Sequence, residues 1–544
     1  MTQQDEEGTA QRVAAAASAG AAGNAESSPW APLAHRTFRW LWFGVLLSYL
    51  GTWMQTVGAQ WRLVDAPNAA TLVSLVQAAN TIPVMLLALP GGVLADSFDR
   101  RWLLFTVQAY FFIVGISLTV LTAIGFMPPS LLLAFTFALA IGAAVQLPTW
   151  QSTIPELVPR SDLRAATRLE GVSVNLARAA GPALAGVVIA GFGVATVFAL
   201  NALSVVFLAV ALLFWRRRPG SEMQRERFVP ALRAGGRYVS YSPVTRRLLL
   251  RVLIFVAPAM ALWALLPLIA SRQLHLGAAG YGALFAALGA GAIIAVLILG
   301  RLRRRLSTNG LLTPAALIFS AALVIIVLTS NFFVALTILI FGGLAWTAVL
   351  STLNAELQVF LPVWVRARGL AIYMITFTGS MAVGSLIWGV VAQGLGLRIT
   401  FFIAAGVMVA GVVAGLFWRV PEIGHLDREP AIYWPEARLA IDPEPESGPV
   451  LVTVEYTVAA DRQAAFLEVM DHLRQSRRRT GATRWGLYRD GDHTNRFLEL
   501  FTVPSWEEHL RQHEGRLTGT DQEIEETALA FSDPPARAEH LLPP

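Results

Sequence analysis

The sequence predicts an all-α membrane protein, twelve transmembrane helices in two parallel six-helix repeats, followed by a small α+β cytoplasmic domain. Three observations predict it. Of 544 residues, 55% are hydrophobic and only 14% charged, with mean hydropathy +0.55. A soluble chain of this length cannot bury so much apolar surface. Twelve stretches reach the roughly 20 apolar residues a bilayer crossing needs. And the sequence matches itself at a shift of 203 residues.

The spans fall near 38–60, 71–95, 103–124, 130–153, 171–191, 194–215, 248–270, 280–300, 310–329, 331–353, 368–393 and 397–418. Gly and Pro inside them are tolerated, because neighbouring bilayer helices re-satisfy the backbone. Arginines orient the set. Loops after the even spans carry Arg100 and Arg101, Arg160, Arg164 and Arg168, Arg216 to Arg218, Arg301, Arg303 to Arg305, Arg366 and Arg368. Loops after the odd spans hold little beyond Arg62, Arg272 and Arg398. Both termini are therefore expected on the cytoplasmic side of an inner (plasma) membrane.

The shift brings Pro159 over Pro362, Gly181 over Gly384 and Gly186 over Gly389. Gly191 and Gly193 fall over Gly394 and Gly396, and Arg100 and Arg101 over Arg303 and Arg304. Span 5 thus matches span 11. Two parallel six-span repeats are a recurring transporter plan, with cargo handled between the halves. The divisions expected are a disordered leader (1–34), a first half (35–215), a central loop (216–247), a second half (248–420), a linker (421–449) and a soluble domain (450–544).

All 42 basic residues are arginine, and there is no cysteine. No disulfide, thiolate metal site or cysteine nucleophile can form. Without lysine there is no phosphate-binding G-x-x-x-x-G-K-[ST] loop, so an ATP-driven pump within this chain is excluded.

The run GGVLADSFDRRWLL (91–104) resembles the loop signature of the major facilitator superfamily. Gly92, Leu94, Ala95, Asp96, Arg100 and Arg101 match, and Asp99 stands where that family usually has glycine. The resemblance implies a gating cluster, with Asp96 placed to meet the positive N-terminus of span 11; a purely topogenic loop is the other reading. LGTWMQTVGAQW (50–61), IPELVPRSDLRAATRL (154–169) and NLARAAGPALAG (175–186) are similar to the enterobactin-exporter-like branch, the transmembrane secretion effectors. Gly181, Pro182 and Gly186 resemble the antiporter motif of drug exporters. The resemblance covers about 35–420. It implies secondary export of small amphipathic molecules such as siderophores or drugs by alternating access, with protons as the coupling ion.

In span 5, Asn175, Arg178 and Pro182 share one face, beside a small-residue row of Ala177, Gly181 and Ala185. An arginine at mid-bilayer costs about 2.5–3.5 kcal/mol on insertion scales, and usually faces a cavity or a partner. Snorkelling toward the cytoplasm is the alternative. Other polar residues set to line a path are Thr52, Gln55 and Gln60, Gln77 and Asn80, Gln146 and Gln151, with Tyr373, Thr376 and Ser380 on one face of span 11. For any one of them a hydrogen bond within the bundle competes with this reading. Asp65, Asp96, Glu156 and Glu356 all sit near span ends, so no titrating carboxylate is evident at mid-span.

In the tail, VLVTVEYTV (450–458) alternates as a strand. Phe466, Val469, Met470 and Leu473 mark an amphipathic helix. TRWGLYRD and RFLELFTVP read as a hairpin across Asp490-Gly491, and SWEE (505–508) as a capping box. The order βαββα resembles a ferredoxin-like domain of the antibiotic-biosynthesis-monooxygenase type, which implies homodimerisation. His509 and His513 lie one turn apart with no third ligand in view, so no metal and no cofactor is expected. The partners expected are a small-molecule substrate, protons, the lipid bilayer and a second copy; nothing calls for nucleic acid. The leading expectation is a transporter and not an enzyme. A membrane-anchored protein with a catalytic or regulatory tail, or a secretion accessory, are the alternatives.

Overall fold

The computed structural model describes residues 28–216, 228–421, 427, 431, 434, 439 and 443–543. Most of the leader, 217–227 of the central loop and most of the linker lie outside the described residues, as do the side chains of Asp96 and of 228–233. The first half is six helices: α1 (Arg36–Arg62), α2 (Ala69–Ser97), α3 (Arg100–Ala123), α4 (Pro129–Leu157), α5 (Leu163–Phe192) and α6 (Val194–Phe214). The central loop is not loop throughout, because Phe228–Tyr241 forms a helix, α7. The second half follows as α8 (Pro243–Leu268), α9 (Ala278–Arg303), α10 (Thr308–Leu328), α11 (Phe332–Phe360) and the stretch Val363–Phe417. That stretch breaks at Gly396, giving α12 (363–395) and α13 (397–417).

Local chemistry sets the boundaries. Asp99 caps α3, accepting from the backbone N–H of Arg101 (2.9 Å) and Trp102 (3.2 Å). Ser242, Ser307 and Asn331 cap α8, α10 and α11 in the same way. Gly193 ends α5 at φ +81°, and Gly396 ends α12 at φ +80°. Side-chain-bearing residues rarely adopt that conformation, so these two glycines, 203 positions apart, make the same turn in each half.

Among the described residues ten helical segments are long and apolar enough to cross a membrane, with Val363–Phe417 counted once. Helix α1 falls short by composition yet packs within the same bundle. The outer surface is apolar: Ile113, Val187, Leu297 and Val390 are each more than 60% exposed. Water would penalise that surface and lipid would not.

The repeat glycines do matching work. A Cβ at Gly181 would press on Trp53 of α1, and one at Gly384 on Ala257 of α8, both contacts inside a half. A Cβ at Gly186 would meet Ala278 and Gly282 of α9, and one at Gly389 would meet Ser74 of α2, both across the halves. Close crossings of small residues are how bilayer helices gain packing energy.

The tail runs β1 (Val450–Thr457), α14 (Gln463–Thr480), β2 (Arg484–Arg489), β3 (Arg496–Val503), α15 (Trp506–Arg511), α16 (Gly519–Leu529) and β4 (Arg537–Leu541). Its sheet is antiparallel in the order β2-β3-β1-β4. Phe466, Met470 and Leu473 are buried against the alternating inward side chains of β1, with Val469 partly buried. The hairpin turn is longer than a two-residue Asp-Gly turn. Residues 490–495 form it, and Asp490 accepts from the backbone of Asp492 and His493. Ser505 caps α15 through Glu508 N–H, but the Glu508 carboxylate turns to Arg511 and Arg516 instead of closing a box. Strand β4 carries no sequence signal, being five residues long and mostly exposed at the sheet edge.

Candidate functional site

A cavity of about 360 Å³ opens in the first half, walled by all six of its helices, α3 through Phe111 alone, and approached by Met381 of α12. Thr52, Gln55, Gln77, Asn80 and Gln146 line it, together with Asn201. Gln55 accepts a hydrogen bond from Asn201. Asn80 Nδ2 and Gln146 Nε2 are buried and donate to nothing among the described residues. An unmet buried donor costs about 1–3 kcal/mol, a penalty that a cargo acceptor or water would relieve.

Arg178 stands beside this cavity. Its guanidinium lies 5.8 Å from the ring centroid of Trp53, a cavity-lining residue. Among the described residues no carboxylate pairs with it. Asn175 is exposed on the same helix and donates to the carbonyl of Gly171 (2.8 Å). Gln151 is exposed and outside the cavity lining. Tyr373 is buried and stacks on Phe377 in the second half, while Thr376 bonds back to Ile372 O, so neither lines this cavity.

Sequence reasoning missed Glu170. The apolar run of the fifth span begins at residue 171 in the sequence, whereas α5 starts at Leu163, so this carboxylate lies inside the helix. It is 8% exposed and accepts from Tyr49 Oη (2.8 Å) and Trp150 Nε1 (2.7 Å). Tyr49 also lines the cavity. The available signal was the spacing of Glu170, Ser173 and Ala177, which puts the carboxylate on the buried face.

The loop motif divides its work. Arg100 donates to Ser152 O (2.6 Å) and pairs with Glu156 (2.8 Å), tying the loop to α4. Arg101 donates to the carbonyls of Leu212 and Leu213, both at 2.8 Å, and so caps α6. A Cβ at Gly92 would touch nothing within 4 Å, whereas one at Gly91 would press on the Ala144 carbonyl. The expected meeting of Asp96 with α12 falls on a side chain outside the described residues.

At the end opposite the arginine-rich loops the halves lock together. Tyr281 donates to Gln60 Oε1 (2.6 Å), and its ring stacks on Trp61 with centroids 5.8 Å apart. Arg272 reaches Val64 O at 3.4 Å.

The tail docks at the arginine-rich end. Trp364 Nε1, at the start of α12, donates to Arg516 O (3.2 Å), and the Arg516 guanidinium lies over the Trp364 ring. Arg478 donates to Tyr241 of α7 (2.8 Å), and Arg237 lies 3.6 Å from Glu508. Inside the tail, Arg477 pairs with both Glu525 oxygens (2.8 and 3.0 Å) and with Glu499 (3.2 Å). Burial pushes the Arg477 guanidinium down, but Glu525 and Glu499 hold it well above its ordinary value. Burial, with His513 and His540 adjacent, takes His509 down to about 3, so its imidazole is neutral.

Comparison with known proteins places this geometry. The family described as transmembrane secretion effector matches residues 27–542. The chain is 24% identical over 360 residues to the staphyloferrin A transporter of Staphylococcus aureus (strain NCTC 8325 / PS 47), spanning 66% of this chain and 90% of that protein. It is 31% identical over 216 residues to the enterobactin exporter EntS of Salmonella choleraesuis (strain SC-B67), covering 39% of this chain and 51% of that protein. Among solved structures, the nucleoside transporter NupG superposes with TM-score 0.58 at 13% identity, over 70% of this chain and 99% of that one. A bacterial homologue of the human lysosomal transporter Spinster, inward-facing and unoccupied, superposes at 0.53 with 14% identity, over 70% and 95%. The chain belongs to the transmembrane secretion effector family of major facilitator transporters.

Proposed function

We propose that this transporter exports an anionic, amphipathic small molecule from the cytoplasm in exchange for protons. The observation that carries the reading is the cavity: the amide donors of Asn80 and Gln146 on its wall are unmet, and its lining residue Trp53 has over its ring the guanidinium of Arg178, which pairs with no carboxylate among the described residues. Charge-assisted hydrogen bonds to a cargo carboxylate or phenolate would meet those groups, and the apolar wall would take the rest of the molecule. The lock at Tyr281, Gln60 and Arg272 supports a state closed on the outer side, with the arginine-rich end facing the cytoplasm by the positive-inside rule. Glu170 supplies the titrating group, since it is buried and tied through Tyr49 to the cavity wall. Buried carboxylates in bilayer proteins are commonly proton carriers.

The test is flux into everted vesicles holding the full chain, with staphyloferrin A and enterobactin as probes. An acid-inside gradient is expected to drive accumulation of at least one probe, and collapsing the gradient to abolish it. Accumulation indifferent to the gradient would overturn proton exchange. Absence of movement for every anionic amphiphile, with neutral ones carried, would overturn the cargo class.

A further inference from the structure

The tail brings together three histidines that the sequence keeps apart. His509 lies in the short helix α15, His513 follows in the turn Gln512–Arg516, and His540 sits on β4. One ring nitrogen from each lies within 4.8 Å of the others. His509 is fully buried, and the other two are half-buried. Among β4 side chains His540 alone is turned inward; its four neighbours on the strand are exposed.

The hydrogen bonds fix which nitrogens face the centre. Gln512 Nε2 donates to Thr480 Oγ1 (3.4 Å), which leaves Gln512 Oε1 to accept from His509 Nδ1 (3.1 Å). The proton of His509 is therefore on Nδ1, and its Nε2 lone pair points at His513 Nε2, 3.2 Å away. Two imidazole nitrogens bound to zinc at about 2.0–2.1 Å in tetrahedral geometry stand roughly 3.3 Å apart. The spacing is already that of two ligands on one ion. Gln512 supplies what such sites need behind the first ligand, an acceptor that sets tautomer and ring orientation. The rings of Trp434 and Trp506 lie against the group, with centroids 4.8 Å from His513 and 5.4 Å from His509.

We propose that His509, His513 and His540 form a binding site for a divalent transition-metal ion of the zinc type. Imidazole ligands suit that class over magnesium or calcium, which take oxygen. A three-histidine set leaves the fourth tetrahedral position to water or an added anion. The ion would fasten edge strand β4 to the 506–516 segment, the same segment whose Arg516 touches Trp364 at the start of α12.

The test uses the full chain in detergent, without a polyhistidine tag and stripped by chelator, titrated with Zn²⁺ and with Co²⁺ as a spectroscopic probe. One ion per chain is expected, with a visible Co²⁺ spectrum of tetrahedral nitrogen ligation. His513→Ala and His540→Ala are each expected to weaken Zn²⁺ binding at least 100-fold, and Gln512→Ala about 10–100-fold. Zn²⁺ is also expected to slow hydrogen exchange across 537–541. No stoichiometric binding to the native chain, or binding unaltered in both histidine variants, would overturn the site and leave a hydrogen-bonded histidine pair. Should a variant fail to fold, the Co²⁺ spectrum of the native chain decides, and its absence counts against the site.

Discussion

Arg178 and Glu170 lie eight residues apart on α5, about 12 Å along the helix axis, and their surroundings differ in kind. Glu170 has two donors, Tyr49 and Trp150, while Arg178 has an aromatic face and, among the described residues, no carboxylate. A charged hydrogen bond contributes about 1.5–3 kcal/mol. Arg178→Ala should therefore lower flux of an anionic probe roughly tenfold or more in correctly inserted protein, with Arg178→Lys retaining part of it. Glu170→Gln keeps an acceptor for Tyr49 but cannot release a proton. Flux in that variant should lose its dependence on the proton gradient, read in the same vesicles. In the tail, Asp521 is buried, which alone would raise its pKa, yet Arg479, Ser476 and Thr518 hold it below the ordinary value. A depressed folded value means the stabilisation is complete above the unfolded carboxylate pKa, about 3.9, and is lost as pH falls through the folded one. Acid unfolding of the tail should accordingly set in below about pH 4 by near-UV circular dichroism. Asp521→Asn should remove about 3 kcal/mol at neutral pH, because Arg479 is left without its buried partner. Of these residues the sequence displayed Arg178, as a charge in an apolar run. It hid Glu170, because a hydropathy window ends at a carboxylate even where the helix continues inward past it.

At the scale of elements, the glycines carry the argument. Gly186 of α5 packs close on α9 and Gly389 of α12 close on α2, matching crossings between the halves, and Gly193 and Gly396 make the paired left-handed turns. These were legible, since the repeat aligns them and only packing or positive φ demands glycine at both copies. Gly186→Val should separate α5 from α9, with flux lost while insertion, checked by gel filtration, survives. Within the loop motif, Gly91 rather than Gly92 meets a neighbour, so Gly92→Ala should be silent in thermal stability and Gly91→Val should lower it. The Asp99 departure is also explained: at φ −62° it needs no glycine and serves as the N-cap of α3. Helix α7 and strand β4 were not legible. The first sits in a polar, arginine-rich stretch, and the second is a short edge strand whose pairing comes from β1 alone.

For the whole molecule, composition and the 203-residue repeat dictated two helical halves, and alternation marked three of the tail's four strands, β1, β2 and β3. The cavity's position could not be read the same way. Five of the polar residues expected on a path surround it, but Gln151, Tyr373 and Thr376 do not, because helix rotation about the long axis is set by neighbours. The central claim is that this cavity is reached from one side at a time, from the arginine-rich end at rest. The chain has no cysteine, so single cysteines at Thr52 and Gln146 can be labelled in intact cells and in everted vesicles with a membrane-impermeant maleimide. The account predicts labelling in everted vesicles alone at rest, and labelling from the outside of cells once a transported probe and a proton gradient are supplied. Labelling from the outside at rest, or from both sides under every condition, would contradict it.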